Sequence, residues 1–297
     1  MRAALAPSAR VAGTARVPRR LAALITGRDR VARATSDFVL TTLARSRVQH
    51  APIAIAASLG VAIISVALVT REGGMADLRA PRTVVLWIPI VVGYWIVVGL
   101  RASFKLPTEL KAAWAFRVHS QMPPFDSAGR GASTSYWSGV RAAMLVFALG
   151  PALFADALVV GPLLGWRTAA IHGLVVILTV AIAAQFASLL VDGVPFSRAY
   201  PPGQAKLKTR WHLYLLGMWA IAYLPVRFEL TVLNDAWGFA MLNAHLVAVF
   251  GLLEFVGRYR ARQWTLPPEP EWDEADPESL TLLNLGPDAG HHPQPAI

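Results

Sequence analysis

Asp156 is the residue in this 297-residue chain whose type and setting most demand an explanation. It lies inside the apolar run 142–165, where an unpaired charge costs roughly 2.5–3.5 kcal/mol on insertion scales. Counting about 1.5 Å per residue from Gly165 places it ~13 Å below the end of the run. His245, in the apolar run 237–256, comes out at the same depth, and Asn243 lies slightly nearer the end. A carboxyl, an imidazole and an amide at one level predict a polar cluster wherever the two helices touch. Such a cluster suits a site that answers to a proton or a cation. The same groups also serve, more commonly, as a neutral pair that ties two helices together. Three other polar residues read as structural. His172, about one turn from the end of its run, is expected at the interface. Glu254 precedes Arg258 by four residues, the spacing of a helical ion pair. Gln185 is suited to bonding between helices.

Proline adds a second signal in the run that carries Asp156. Pro151 and Pro162 each follow a glycine and are eleven residues apart, so at 100° per residue both fall on nearly one face. Proline also removes an amide donor, which leaves the carbonyl of Phe147 without its helical partner. A broken, acid-bearing span is the device from which transporters build sites near the bilayer midplane.

These residues need elements to hold them, and the apolar runs supply six: 52–70, 83–100, 142–165, 169–191, 211–226 and 237–256. With 55% hydrophobic and 15% charged residues and a mean hydropathy of +0.46, the chain reads as an all-α polytopic membrane bundle. Each run is about long enough to cross ~30 Å of hydrocarbon, the fifth barely so. The first begins too late for a cleaved secretory signal and is expected to stay as an anchor. Trp166, Trp211 and Trp237 fall at run ends, as an aromatic belt requires.

Charge orients the runs. Ten arginines and two acids precede the first run; Arg101, Lys105, Lys111, Arg117, Arg130 and Arg141 crowd the second connection, and Arg198, Lys206, Lys208 and Arg210 the fourth. The other connections are short or balanced. The basic segments therefore belong on one side, inside, with both chain ends. This divides the chain into a basic cytoplasmic segment (1–50), a six-span domain (51–262) and an acidic, proline-rich cytoplasmic tail (263–297) expected to be disordered. The net charge of +10 lies beside span ends, where it meets anionic headgroups at ~1 kcal/mol per base. No nucleic-acid motif accompanies it. The chain has no cysteine, which excludes disulfides and thiolate chemistry, and no H-E-x-x-H, P-loop, G-x-S-x-G or dinucleotide fingerprint. No catalytic residue, cofactor or metal ligand is assigned.

Two connections carry patterns of their own. From Lys105 to Val118, Leu110, Ala113, Trp114 and Val118 share one helical face, while Lys111 and Arg117 are placed to reach headgroups. This predicts a short helix lying along the membrane. The proline-rich stretch 192–203 reads as a rigid turn, with Arg198, Lys206 and Lys208 at the headgroups.

In these stretches, and in Phe38 to Arg47, the chain resembles a group of uncharacterised bacterial multi-pass inner-membrane proteins. The shared segment has the form P-x-E-L-(K/R)-A-x-W-x-F-R, here Pro107 to Arg117, with a second of the form Pro-Phe…Tyr-x-Pro-Gly, here Pro195 to Gly203. The likeness covers about Phe38 to Val226 and implies the same multi-pass topology. In that group these segments lie in the later part of longer chains, which implies that residues 1–36 are a linker in a shortened or split member. It implies no active site. The expected roles are a permease-like or scaffold component of a transport or envelope assembly, with a protein partner at the cytoplasmic face. A proton-coupled carrier using Asp156 and an intramembrane enzyme are the alternatives.

Overall fold

The computed structural model describes residues 16–69, 82–106, 132–191, 196 and 211–263. Among these the chain is all helix: α1 (Arg16–Thr26), α2 (Arg30–Arg45), α3 (Arg47–Val69), α4 (Arg82–Ser103), α5 (Ala132–Ala155, continuing through Asp156–Val160 and Gly161–Leu164), α6 (Trp166–Leu189), α7 (Trp211–Met218, Trp219–Tyr223 and Leu224–Val232) and α8 (Ala236–Gln263). Helices α3 to α8 are each long and apolar enough to cross a membrane. That is the six-span all-α bundle that the apolar runs predict. In hydrocarbon a backbone must satisfy its own amides and carbonyls, and a helix does so within one segment.

Helices α4, α5 and α6 pack on one another and form the core, with Leu86, Val91, Met144 and Val176 buried. Helix α3 lies against α4, and α8 lies against α6, each leaving most of its surface facing outward. Trp166 and Trp237 are exposed at the starts of α6 and α8, at belt positions. Bonds between span ends show that the spans alternate in direction. Arg101, late in α4, donates to the Leu190 carbonyl just past α6 at 2.8 and 3.2 Å. Gln185, late in α6, donates to Glu254, late in α8, at 2.9 Å. Gln49, early in α3, donates to the Leu106 carbonyl at 3.0 Å. We call this the terminus-bearing face, after the helix termini of α4, α6 and α8 that lie on it. Glu254 also pairs with Arg258 at 2.8 Å and with Arg141 at 3.2 Å. The ion pair and the bonding role of Gln185 follow their spacing in the sequence.

Helices α5 and α7 extend well beyond their apolar runs. Helix α5 reaches back to Ala132 because its first turns are covered by protein: Tyr136, Trp137 and Val140 are buried, and α1 and α2 lie against this helix. Helix α7 continues past Pro225 to Val232. In both α5 and α7 a π turn precedes the proline. The Gly161 amide bonds to the Asp156 carbonyl, and the Leu224 amide to the Trp219 carbonyl, each five residues back. Pro162 and Pro225 then stand in the first turn of the segment that restarts, where a missing amide costs least. Pro151 lies within regular helix. The irregularity in α5 therefore falls at Asp156–Val160, ahead of Pro162, and not at Gly150-Pro151.

Residues 16–45, expected only as a basic segment, fold into α1 and α2. Gly27 makes the turn between them at φ +60°, and Asp29 caps α2 by accepting from the Ala32 amide at 3.0 Å. Ala32, Val39 and Leu43 are fully buried. Gly139 on α5 admits this contact, since a Cβ there would strike the Ala32 carbonyl and lie 2.8 Å from Thr35 Cβ. Phe196 completes the corner. It is fully buried at φ +64°, its amide donates to the Phe104 carbonyl at 2.9 Å, and its ring meets Phe104 and Phe38 edge-on at 5.2 and 6.2 Å. Residues 107–118 of the interfacial helix expected over 105–118, and the tail from 264, lie outside the described residues.

Gly139→Leu is expected to lower stability by about 1–3 kcal/mol through overpacking, while Gly251→Leu, where a Cβ meets nothing within 4 Å, leaves it unchanged. Thermal unfolding of the detergent-purified variants measures the difference.

Candidate functional site

Helices α5, α6 and α7 each send one ionisable side chain to the same buried point. Asp156 comes from the π turn of α5, His172 from the second turn of α6, and Glu229 from the last segment of α7. His172 and Glu229 are fully buried and Asp156 is 5% exposed. The folding reason is local. Gly165, at φ +93°, turns the chain between α5 and α6, so residues equally far from it along the two helices come level. Asp156 is nine residues before this turn and His172 seven after it. Glu229 reaches the same level because α7 runs on past Pro225.

The imidazole is held at one end. Its Nδ1 lies 2.8 and 3.0 Å from the two oxygens of Glu229. With Glu229 ionised its oxygens accept, and the ring then donates from Nδ1. This fixes the ring and aims Nε2 at Asp156, whose Oδ1 is 3.9 Å away. That separation exceeds hydrogen-bond range. Both atoms are buried and neither has a hydrogen-bond partner among the described residues. Gly173 leaves space on the far side of the carboxyl, with its Cβ position 3.7 Å from Asp156 Oδ2.

The chemistry follows from the charge count. Two carboxylates and an imidazolium sum to one negative charge, and one more proton brings the cluster to zero. His172 is the ion-pair partner of both acids among the described residues. A site with one nitrogen pinned and the other facing an unpaired carboxyl oxygen can hold a proton between them or pass one along. Among the described residues no group of three or more His, Asp or Glu side chains is arranged to hold a metal ion.

The structure does not bring His245 to Asp156. His245 is on the outward face of α8, exposed, with Nδ1 bonded to the Met241 carbonyl of its own helix at 2.7 Å. Asn243 likewise donates to its own helix, at Phe239, at 2.8 Å. Depth along a helix is readable from the sequence, but the direction a side chain faces around that helix depends on which neighbours pack there. His172, expected at the interface, is the actual partner. Glu229 falls in a connection when the fifth run is ended at Val226. The signal that finds His172 is the glycine hairpin between Asp156 and itself. Pro151 and Pro162 flank the π turn that carries Asp156. Lys111, Trp114, Arg117, Arg198, Lys206 and Lys208 lie outside the described residues. No family model, curated protein or solved structure matches the chain.

Removing one partner of a buried pair strands the other, at a cost of about 3–5 kcal/mol. His172→Phe is expected to destabilise by roughly that amount, and the double variant His172→Phe with Glu229→Leu to recover much of the loss. His245→Phe leaves stability unchanged. Unfolding curves of the four purified proteins check the series.

Proposed function

We propose that the protein is a permease-like component of a membrane transport assembly, and that a proton held at Asp156, His172 and Glu229 is linked to its transport step. One observation carries this reading: Asp156 Oδ1 and His172 Nε2 face each other at 3.9 Å with no hydrogen-bond partner among the described residues, while Glu229 holds the other side of the ring. A cluster that served only to join helices gains most by closing that gap. A proton-linked site gains from keeping it, because a small approach of the helices makes the bond and a small retreat breaks it. The two acids also come from the two spans with π turns, features that occur often at functional sites. The shared segments Pro107 to Arg117 and Pro195 to Gly203 support membership in the bacterial inner-membrane group that they resemble. The basic connections support cytoplasmic chain ends facing anionic headgroups. The same face offers a protein partner its loops and acidic tail.

Two measurements test this. In proteoliposomes adsorbed on a sensor electrode, a pH jump is expected to evoke a transient charge displacement that Asp156→Asn abolishes while its unfolding temperature stays within a few degrees of the parent. A parent without displacement, or a variant that keeps it, overturns the reading. Reporter fusions to the first and last residues are expected to report the same, cytoplasmic, side of the membrane, and opposite sides would refute the orientation.

A further inference from the structure

Far from the acid–histidine cluster, at the terminus-bearing face, the ends of α5, α6 and α8 enclose a small cleft of about 50 Å³. Its walls include Trp137 and Arg141 from α5, Ser188 from α6, and Gly257 and Arg260 from α8. The charge around it does not balance. Glu254 accepts from Arg258 at 2.8 Å, from Gln185 at 2.9 Å and from Arg141 at 3.2 Å. One carboxylate is thus shared by two arginines, and Arg260 brings a third positive charge. Arg260 spends one N–H on the Leu189 carbonyl at 2.6 Å. A guanidinium has five N–H donors, so both wall arginines keep donors to spare. Arg141 is the more constrained, with its side chain only 12% exposed. Gly257 makes room for it: a Cβ there would lie 3.0 Å from both Arg141 Nη1 and Gln185 Nε2.

From this we infer that the cleft binds a phosphoryl group, held between Arg141 and Arg260 with Gly257 as its floor. Guanidinium forks match the oxygens of a phosphoryl group two at a time. Three positive charges against one negative, with Arg141 shielded from water, favour an anion over a neutral guest. The volume suits one phosphoryl group and leaves the rest of the molecule outside. The level suits a lipid, because the cleft lies where three spans end, and basic pockets between spans are where acidic headgroups are bound. Free phosphate presents the same oxygens. The binding is independent of the proton-linked reading, since no residue is shared between the two sites.

Native mass spectrometry of the purified full chain, offered equal amounts of phosphatidylglycerol and phosphatidylcholine, separates these sources. Preferential retention of phosphatidylglycerol is expected, and Arg260→Gln, on an exposed residue, is expected to weaken it about fivefold, as one lost surface charge implies. Gly257→Leu, which fills the floor, acts in the same direction, while Arg33→Gln on α2 changes nothing. A second arm titrates sodium phosphate into the detergent-solubilised protein by calorimetry. Binding of phosphate that depends on Arg260, without preference between the lipids, supports the site and assigns it to the free ion. Equal retention of both lipids with no phosphate binding overturns the inference, as does binding in either arm that Arg260→Gln leaves intact.

Discussion

Hydrocarbon offers no hydrogen bonds, so every polar atom carried into it must find its partner inside the protein. Most features of this structure answer to that condition. The spans are helical because helices satisfy their own backbone. Pro162 of α5 and Pro225 of α7 follow wide turns, which place the missing amides where segments restart. Arg101 spends its guanidinium on the open carbonyl end of α6. Gln185 spends its amide on α8. Several buried side-chain atoms stand outside that pattern, and Asp156 Oδ1 and His172 Nε2 are two of them that face each other.

The polar side chains divide by level in the bundle. At the terminus-bearing face the groups are arginines, with Glu254 and Gln185, and they fasten span ends to each other. Toward the opposite face the groups are two acids and a histidine, and the positive charge available to them among the described residues is the imidazole itself. The first level holds fixed charges. The second holds one charge whose sign and number depend on protons. The fastening groups and the acid–histidine cluster thus lie on different levels of the bundle.

Much of this architecture could be read in the sequence, for physical reasons. Apolar run length reports bilayer thickness, so six spans were legible, as were Glu254 with Arg258, whose spacing lies within one helix. What was not legible depends on packing between helices. Asp156 could be placed in depth but not in azimuth, which is why His245, at equal depth, turns out to face away. Glu229 was hidden by Pro225, since hydropathy and proline together argue for ending a helix that a π turn in fact carries onward. Helices α1 and α2 were hidden by their charge: Ala32, Val39 and Leu43 bury a face that is short, interrupted and embedded among arginines. The Pro-Phe pattern could be noticed but not interpreted until Phe196 was seen wedged between Phe38 and Phe104.

The wide turns of α5 and α7 have a mechanical meaning. Each stores one residue more than a regular helix needs over the same path. If that surplus is handed along the axis, the stretch beyond it screws forward by one step, about 1.5 Å and 100°. In α7 the stretch beyond includes Glu229, and in α5 the turn itself holds Asp156. The two acids are thus mounted on threads, with His172 on a straight, regular shaft between them. A ratchet in either thread would shift one carboxylate relative to the ring.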